Sequence, residues 1–122
     1  METLSKFVRQ YLETALWSTH DNADESGGEP LDKNYTITDF APEAIAKAIE
    51  DCRNFCALAG ADLESVGDDK QNGHDFWLTR NGHGCGFWDR GYGDAGDRLS
   101  EVARTFGNCD AYLGDDGSIY LS

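Results

Sequence analysis

The acidic residues of this chain are gathered, not spread. Three stretches contain no lysine or arginine: His20–Asp32, with Asp21, Asp24, Glu25, Glu29 and Asp32; Asp62–Asp69, with Asp62, Glu64, Asp68 and Asp69; and Asn108–Ser118, with Asp110, Asp115 and Asp116. They hold 12 of the 23 acids, while the other 11 stand against all 10 bases. The excess of charge is concentrated in these stretches, and the segments between them are near balance.

Those segments are sufficient for one core. Of 122 residues, 39% are hydrophobic and 11% aromatic, which places the chain among ordinary globular domains. A single acidic domain over residues 1–122 is expected. Its apolar runs are a few residues long, far short of a membrane span. The stretch METLSKFVRQYLETALW has neither the basic start nor the continuous apolar run of a signal peptide. A cytoplasmic location is expected, and with it reduced thiols at Cys52, Cys56, Cys85 and Cys109.

Periodicity supplies the elements. Leu4, Phe7, Val8, Tyr11, Leu12, Ala15 and Leu16 repeat at helical spacing, which predicts an amphipathic helix from Thr3 to about Trp17. A polar, glycine-containing loop follows, and NYTITDF reads as a short extended segment. A second helix is predicted from Pro42, a first-turn residue, to Ala59, with Gly60 as its stop. GADLESVGDDKQNG then reads as a second acidic connection. HDFWLTR and CGFW around NGHG suggest a β-hairpin with an Asn-Gly turn. A third helix spans Asp94 to Phe106, closed by Gly107, with Asp94–Arg98 and Glu101–Arg104 at pairing distance. DAYL and SIYL around GDDG form a terminal hairpin. The expected fold is α+β, order ααββαββ, with a three- or four-stranded antiparallel sheet of two hairpins packed with three helices.

Motifs for chemistry are few. GYGDAG (Gly91, Gly93, Gly96) matches a dinucleotide fingerprint, but Asp94 and Asp97 would repel phosphate, and the glycines serve to turn the chain into a helix. DDKQNG starts like a calcium loop, yet Lys70 replaces the second acid and Thr79 stands where the bidentate Glu belongs. No Cys-x-x-Cys occurs, and Cys52 and Cys56 continue a buried stripe, so no metal or cofactor is expected. His74 beside Asp75 belongs to no catalytic signature, so the chain is not expected to be an enzyme. The rival reading is a small metal-dependent enzyme or regulator using His74, His83, Cys85 and Cys109. In the expected hairpin, Phe76, Leu78, Cys85 and Phe87 share one face and Trp77 and Trp88 the other. That second face is either packed under the first helix, the commoner fate of tryptophan in a small sheet, or an exposed anchor.

The net charge of −13 exceeds the magnitude of roughly 2–8 that ordinarily keeps a small domain soluble. It also leaves no basic patch to displace counterions from phosphate, so direct nucleic-acid binding is excluded. A basic partner is implied.

HDFWLTRNGHGCGFWDRGYGDAGDRLSEVARTFG, AYLGDDGSIY and DKNYTITDFAPEAIAKAIEDC resemble small uncharacterised proteins encoded by bacteriophages and other mobile elements, over about residues 31 to 120. The resemblance implies expression inside an infected bacterium and an anti-defence role, as in anti-CRISPR or antirestriction proteins, several of which mimic DNA. It carries no active-site residues. The functional expectation is an inhibitor of a host nucleic-acid-binding defence complex, a CRISPR effector first and a restriction enzyme second. Its acidic surface would occupy the site that holds DNA or RNA. The candidate contacts are Asp21, Asp24, Glu25, Glu29, Asp32, Asp62, Glu64, Asp68, Asp69, Asp115 and Asp116.

Overall fold

A computed structural model describes residues 5–19, 30–66, 68–82, 86–87 and 91–122. Among them the elements run α1 (Lys6–Ser18), α2 (Pro42–Ser65), α3 (Asp69–Arg80), α4 (Asp94–Arg104), β1 (Ala111–Leu113) and β2 (Ile119–Leu121). Two short 3-10 turns, Leu31–Lys33 and Ile37–Asp39, lie between α1 and α2. The expected sheet of three or four strands is absent from these residues. The protein is mostly helical, and among the described residues the sheet has two strands, β1 and β2.

The helices form where periodicity and capping agree. The Ser5 hydroxyl accepts from the Val8 N–H at the head of α1, whose stripe Phe7, Tyr11, Leu12 and Ala15 is buried. Pro42 sits in the first turn of α2. This helix runs through the expected stop at Gly60 because Leu63, one turn beyond Ala59, continues the buried stripe. Asp62 and Glu64 therefore lie on a helix and not on a connecting loop. Gly91 and Gly93, at φ 75° and 65°, turn the chain into α4.

The largest correction concerns HDFWLTR, which belongs to α3 and forms no hairpin strand. The Asp68 carboxylate caps this helix, accepting from the Gln71 N–H at 2.8 Å. Phe76, Trp77 and Leu78 are all buried, so the expected division into two faces does not exist. Trp77 is a core residue, with its indole N–H donating to the Ser18 hydroxyl at 2.9 Å. Trp88 and Cys85 lie outside the described residues. Asn81 and Gly82 end the helix instead of turning a hairpin, with Gly82 at φ 73°.

The packing directions follow from the contacts. Asn72 reaches the Leu63 carbonyl, Phe76 stacks on Phe55 and Arg80 meets Asp51, so α3 runs antiparallel to α2. α4 does the same, since Arg98 meets Asp62 while Phe106 packs edge-on against Phe55. α1 lies alongside α3 in the same direction, with Phe7 near Phe76 and Tyr11 near Trp77. At Gly73 the two backbones touch, and a Cβ there would collide with the Phe7 carbonyl. The buried hydrophobics of all four helices and both strands fall in one cluster, centred on Phe55 and Phe76, whose rings stack at 4.1 Å and 3°. No helix among the described residues is long and apolar enough to cross a membrane.

The terminal hairpin is as expected. β1 and β2 are antiparallel, pairing Ala111 with Leu121, Tyr112 with Tyr120 and Leu113 with Ile119. NYTITDF is not extended over its length. Its Ile37–Asp39 portion is a 3-10 turn, after which Phe40 bridges to Ile119 and the Ala41 N–H donates to the Ile119 carbonyl at 2.8 Å.

Candidate functional site

That bridge joins two acidic stretches of the chain. Residues 34–46 contain no lysine or arginine, and neither do residues 105–122. The fold sets these two stretches side by side about Ile119. They carry Asp39 and Glu43 on one and Asp110, Asp115 and Asp116 on the other. Lys47, one turn beyond Glu43, is the nearest base along the chain; it pairs with Asp51 at 3.4 Å, an oxygen it shares with Arg80, and its charge also reaches Cys109 beside Asp110.

The hairpin that presents these acids is tied at both ends. Asp110 and Ser122 exchange backbone hydrogen bonds at 2.8 and 3.0 Å, and at the turn the Gly114 N–H donates to the Ser118 carbonyl at 2.8 Å. The Tyr120 ring lies over Gly114 so closely that any Cβ there would strike it. Its hydroxyl donates to the Asp116 carboxylate at 2.6 Å, and the Ser118 N–H donates to the other oxygen at 3.0 Å. These bonds hold the Asp116 carboxyl below the usual carboxylate range, chiefly through Tyr120. The same bond, with the charge behind it, pushes the Tyr120 phenol up to about 12. Asp116 is thus a fixed anion, while Asp110 and Asp115 are exposed.

The remaining acids expected at a partner surface divide. Asp21, Asp24, Glu25 and Glu29 lie outside the described residues. Asp32 is exposed in the first 3-10 turn. Asp62 is not free: Arg98 grips it through two bonds at 2.9 and 2.7 Å and holds its carboxyl below the usual range. Arg98 therefore pairs across to α2, not with Asp94 on its own helix as spacing suggested. Glu64 is exposed at the end of α2. Asp68 is the cap of α3, and with Asp69 it borders a groove of about 450 Å³ that also takes in Lys6, Arg9 and Lys70. The second acidic stretch is base-free in sequence but not in space.

The residues of the rival chemical site do not converge. His74 contacts the Thr14 hydroxyl at 3.1 Å and stacks on Trp17 at 5.5 Å. Cys109 lies beyond the other end of α3, its N–H donating to the Asn81 side chain at 2.7 Å. Asp75 is fully buried on α3, and His83 and Cys85 lie outside the described residues. Cys52, Cys56 and Cys109 are free thiols, and burial pushes each of them up, away from the thiolate that nucleophilic or metal-binding chemistry needs. No group of three or more His, Cys, Asp or Glu among the described residues is placed to hold a metal.

The surface of Asp39, Glu43 and Asp110 was missed in sequence. Residues 34–46 hold only two acids and come beside residues 105–122 only in the fold. No protein-family model matches the chain, and no curated protein or solved structure matches it.

Proposed function

We propose that this protein is an inhibitor of a host nucleic-acid-binding defence complex, of the kind bacteriophages encode, which covers the complex's basic surface with its own acidic one. The observation that carries this reading is the pairing about Ile119 of two stretches that are base-free in sequence and together carry five acids. A rigid anionic surface of this kind suits a channel lined with lysine and arginine that otherwise holds phosphates. Long-range attraction then steers association, and salt screens it over about 8 Å at physiological ionic strength.

The test uses the whole chain, immobilised, with lysate from a bacterium carrying CRISPR and restriction systems. A nucleic-acid-binding complex should be retained at low salt, released as salt rises, and displaced by added duplex DNA or guide-length RNA. Neutralising Asp39, Glu43, Asp110 and Asp115 together to Asn or Gln should abolish retention. Retention that neither nucleic acid nor these substitutions disturb overturns the proposal.

A further inference from the structure

On the solvent face of the terminal hairpin two tyrosines stand between carboxylates. Tyr112 and Tyr120 are directly opposite in register and stack at 5.7 Å with 21° between their planes. Alternation along β1 puts Asp110 and Tyr112 on the same face. Tyr120 is tied to Asp116 at the turn, and Glu43 of α2 lies near enough for its charge to bear on the Tyr120 phenol. The order along the face is Asp110, Tyr112 beside Tyr120, then Asp116.

Tyr112 is 47% exposed. Exposed aromatic side chains are common singly, but this one is held by a stacking partner on a hairpin whose ends and turn are closed by backbone hydrogen bonds. Its ring therefore needs no further ordering to receive a partner. A ring face with carboxylates at either end matches a guanidinium: the plane stacks on the ring while the N–H fork donates to an oxygen. A second copy of this chain is a poor occupant, because it brings Asp110, Asp115 and Asp116 against their own counterparts.

We propose that Tyr112, backed by Tyr120 and flanked by Asp110 and Asp116, is the platform on which an arginine of the basic partner docks. This rests on the proposed function for the existence of such a partner, and it adds which side chain the surface selects and where it lands.

The probe is an octapeptide alternating arginine and serine, with the lysine–serine octapeptide as the matched-charge control, titrated into the isotope-labelled chain. Backbone amide shifts should concentrate in residues 110–121, and the arginine peptide should bind more tightly than the lysine one. Tyr112→Ala should weaken the arginine peptide about three-fold, the value of an exposed cation–π contact, and weaken the lysine peptide less. Tyr112→Leu keeps apolar bulk and removes the π face, and it should behave like the alanine variant. Both variants should keep the wild-type circular dichroism spectrum and unfold only slightly earlier, because each loses the cross-strand stack on Tyr120 while the core is untouched.

Shifts centred on residues 62–70, full binding by the leucine variant, or a chain that is a dimer through this hairpin each overturn the platform. If those results coincide with lysate retention that DNA displaces, the platform alone fails. If the peptide marks the hairpin while nucleic acid never competes for the captured partner, the proposed function fails instead.

Discussion

Arg80 at the end of α3 meets Asp51 of α2 at 2.9 Å with only 3% of the arginine side chain exposed. The rest of the guanidinium is also engaged: it donates to the Tyr11 hydroxyl at 2.8 Å and to the Phe106 and Gly107 carbonyls at 3.0 and 2.9 Å. Its plane lies 5.6 and 5.7 Å from the Phe76 and Phe106 ring centres. One side chain thus ties α1, α2 and the residues after α4 to α3. It also gives a donor to the carbonyls of Phe106 and Gly107, just beyond the end of α4.

Asp51→Ala strands this buried cation and should lower unfolding free energy by about 3–5 kcal/mol. Arg80→Met should fall in the same range, because it leaves the tyrosine hydroxyl and both carbonyls without their donor and Asp51 with Lys47 alone. Urea denaturation followed by circular dichroism measures both. A loss below about 1 kcal/mol in each, the ordinary value of a surface pair, contradicts the arrangement.

Two helical glycines predict opposite signs for one substitution. A Cβ on Gly60 meets nothing within 4 Å, so Gly60→Ala should stabilise the protein by up to about 1 kcal/mol through helix propensity alone. A Cβ on Gly73 runs into the Phe7 carbonyl and must push α1 away from α3. Gly73→Ala should therefore destabilise, despite the same gain in propensity, and by more than that gain. Thermal unfolding of the pair reads both signs at once.

The contrast between α3 and its neighbours accounts for what the sequence made legible. α1, the onset of α2, and α4 each carry one apolar stripe and a polar remainder, so period and caps agree. The terminal hairpin is marked by glycines on both sides of Asp115 and Asp116. In α3, Asn72, Gly73 and every residue from Asp75 to Arg80 are buried, so no polar face remains to reveal a 3.6-residue period. Its aromatic run then imitates a strand. Asn-Gly adds to the imitation, since a hairpin turn and a helix C-terminus both want a glycine with positive φ. The proposed acidic surface is half legible for a related reason. Charge runs are local and visible, whereas the meeting of residues 34–46 with 105–122 depends on one long-range bridge at Ile119.

The thiols should be inert in the folded state. Cys52 and Cys109 are buried, and burial raises both above the usual thiol range. Iodoacetamide at pH 8 should leave them unmodified in native protein and alkylate them fully in urea, with the half-buried Cys56 between these extremes. Peptide mass mapping distinguishes the sites. Rapid native labelling of Cys109 would revive the reading of a reactive centre near it.

The last expectation concerns pH and the Tyr120–Asp116 bond. The Asp116 carboxyl titrates below its ordinary value in the folded state, so below neutrality the unfolded chain takes up its proton first. The contribution of this bond is then complete above the ordinary carboxylate range and lost as pH falls through the depressed folded value. Tyr120 works from the other side. Its phenol is pushed from 10.0 to about 12, so the folded state keeps a proton that the unfolded state releases. That contribution is complete below about pH 10 and disappears as pH rises to about 12. Tyr120→Phe should remove the alkaline dependence and weaken the acidic one, leaving the share that the Ser118 N–H supplies, while keeping the ring over Gly114. In absorbance titration at the phenolate band, the wild type should show one more late-ionising tyrosine than the variant. If the additional tyrosine of the wild type ionises near pH 10 instead of about 12, the bond to Asp116 does not persist in solution.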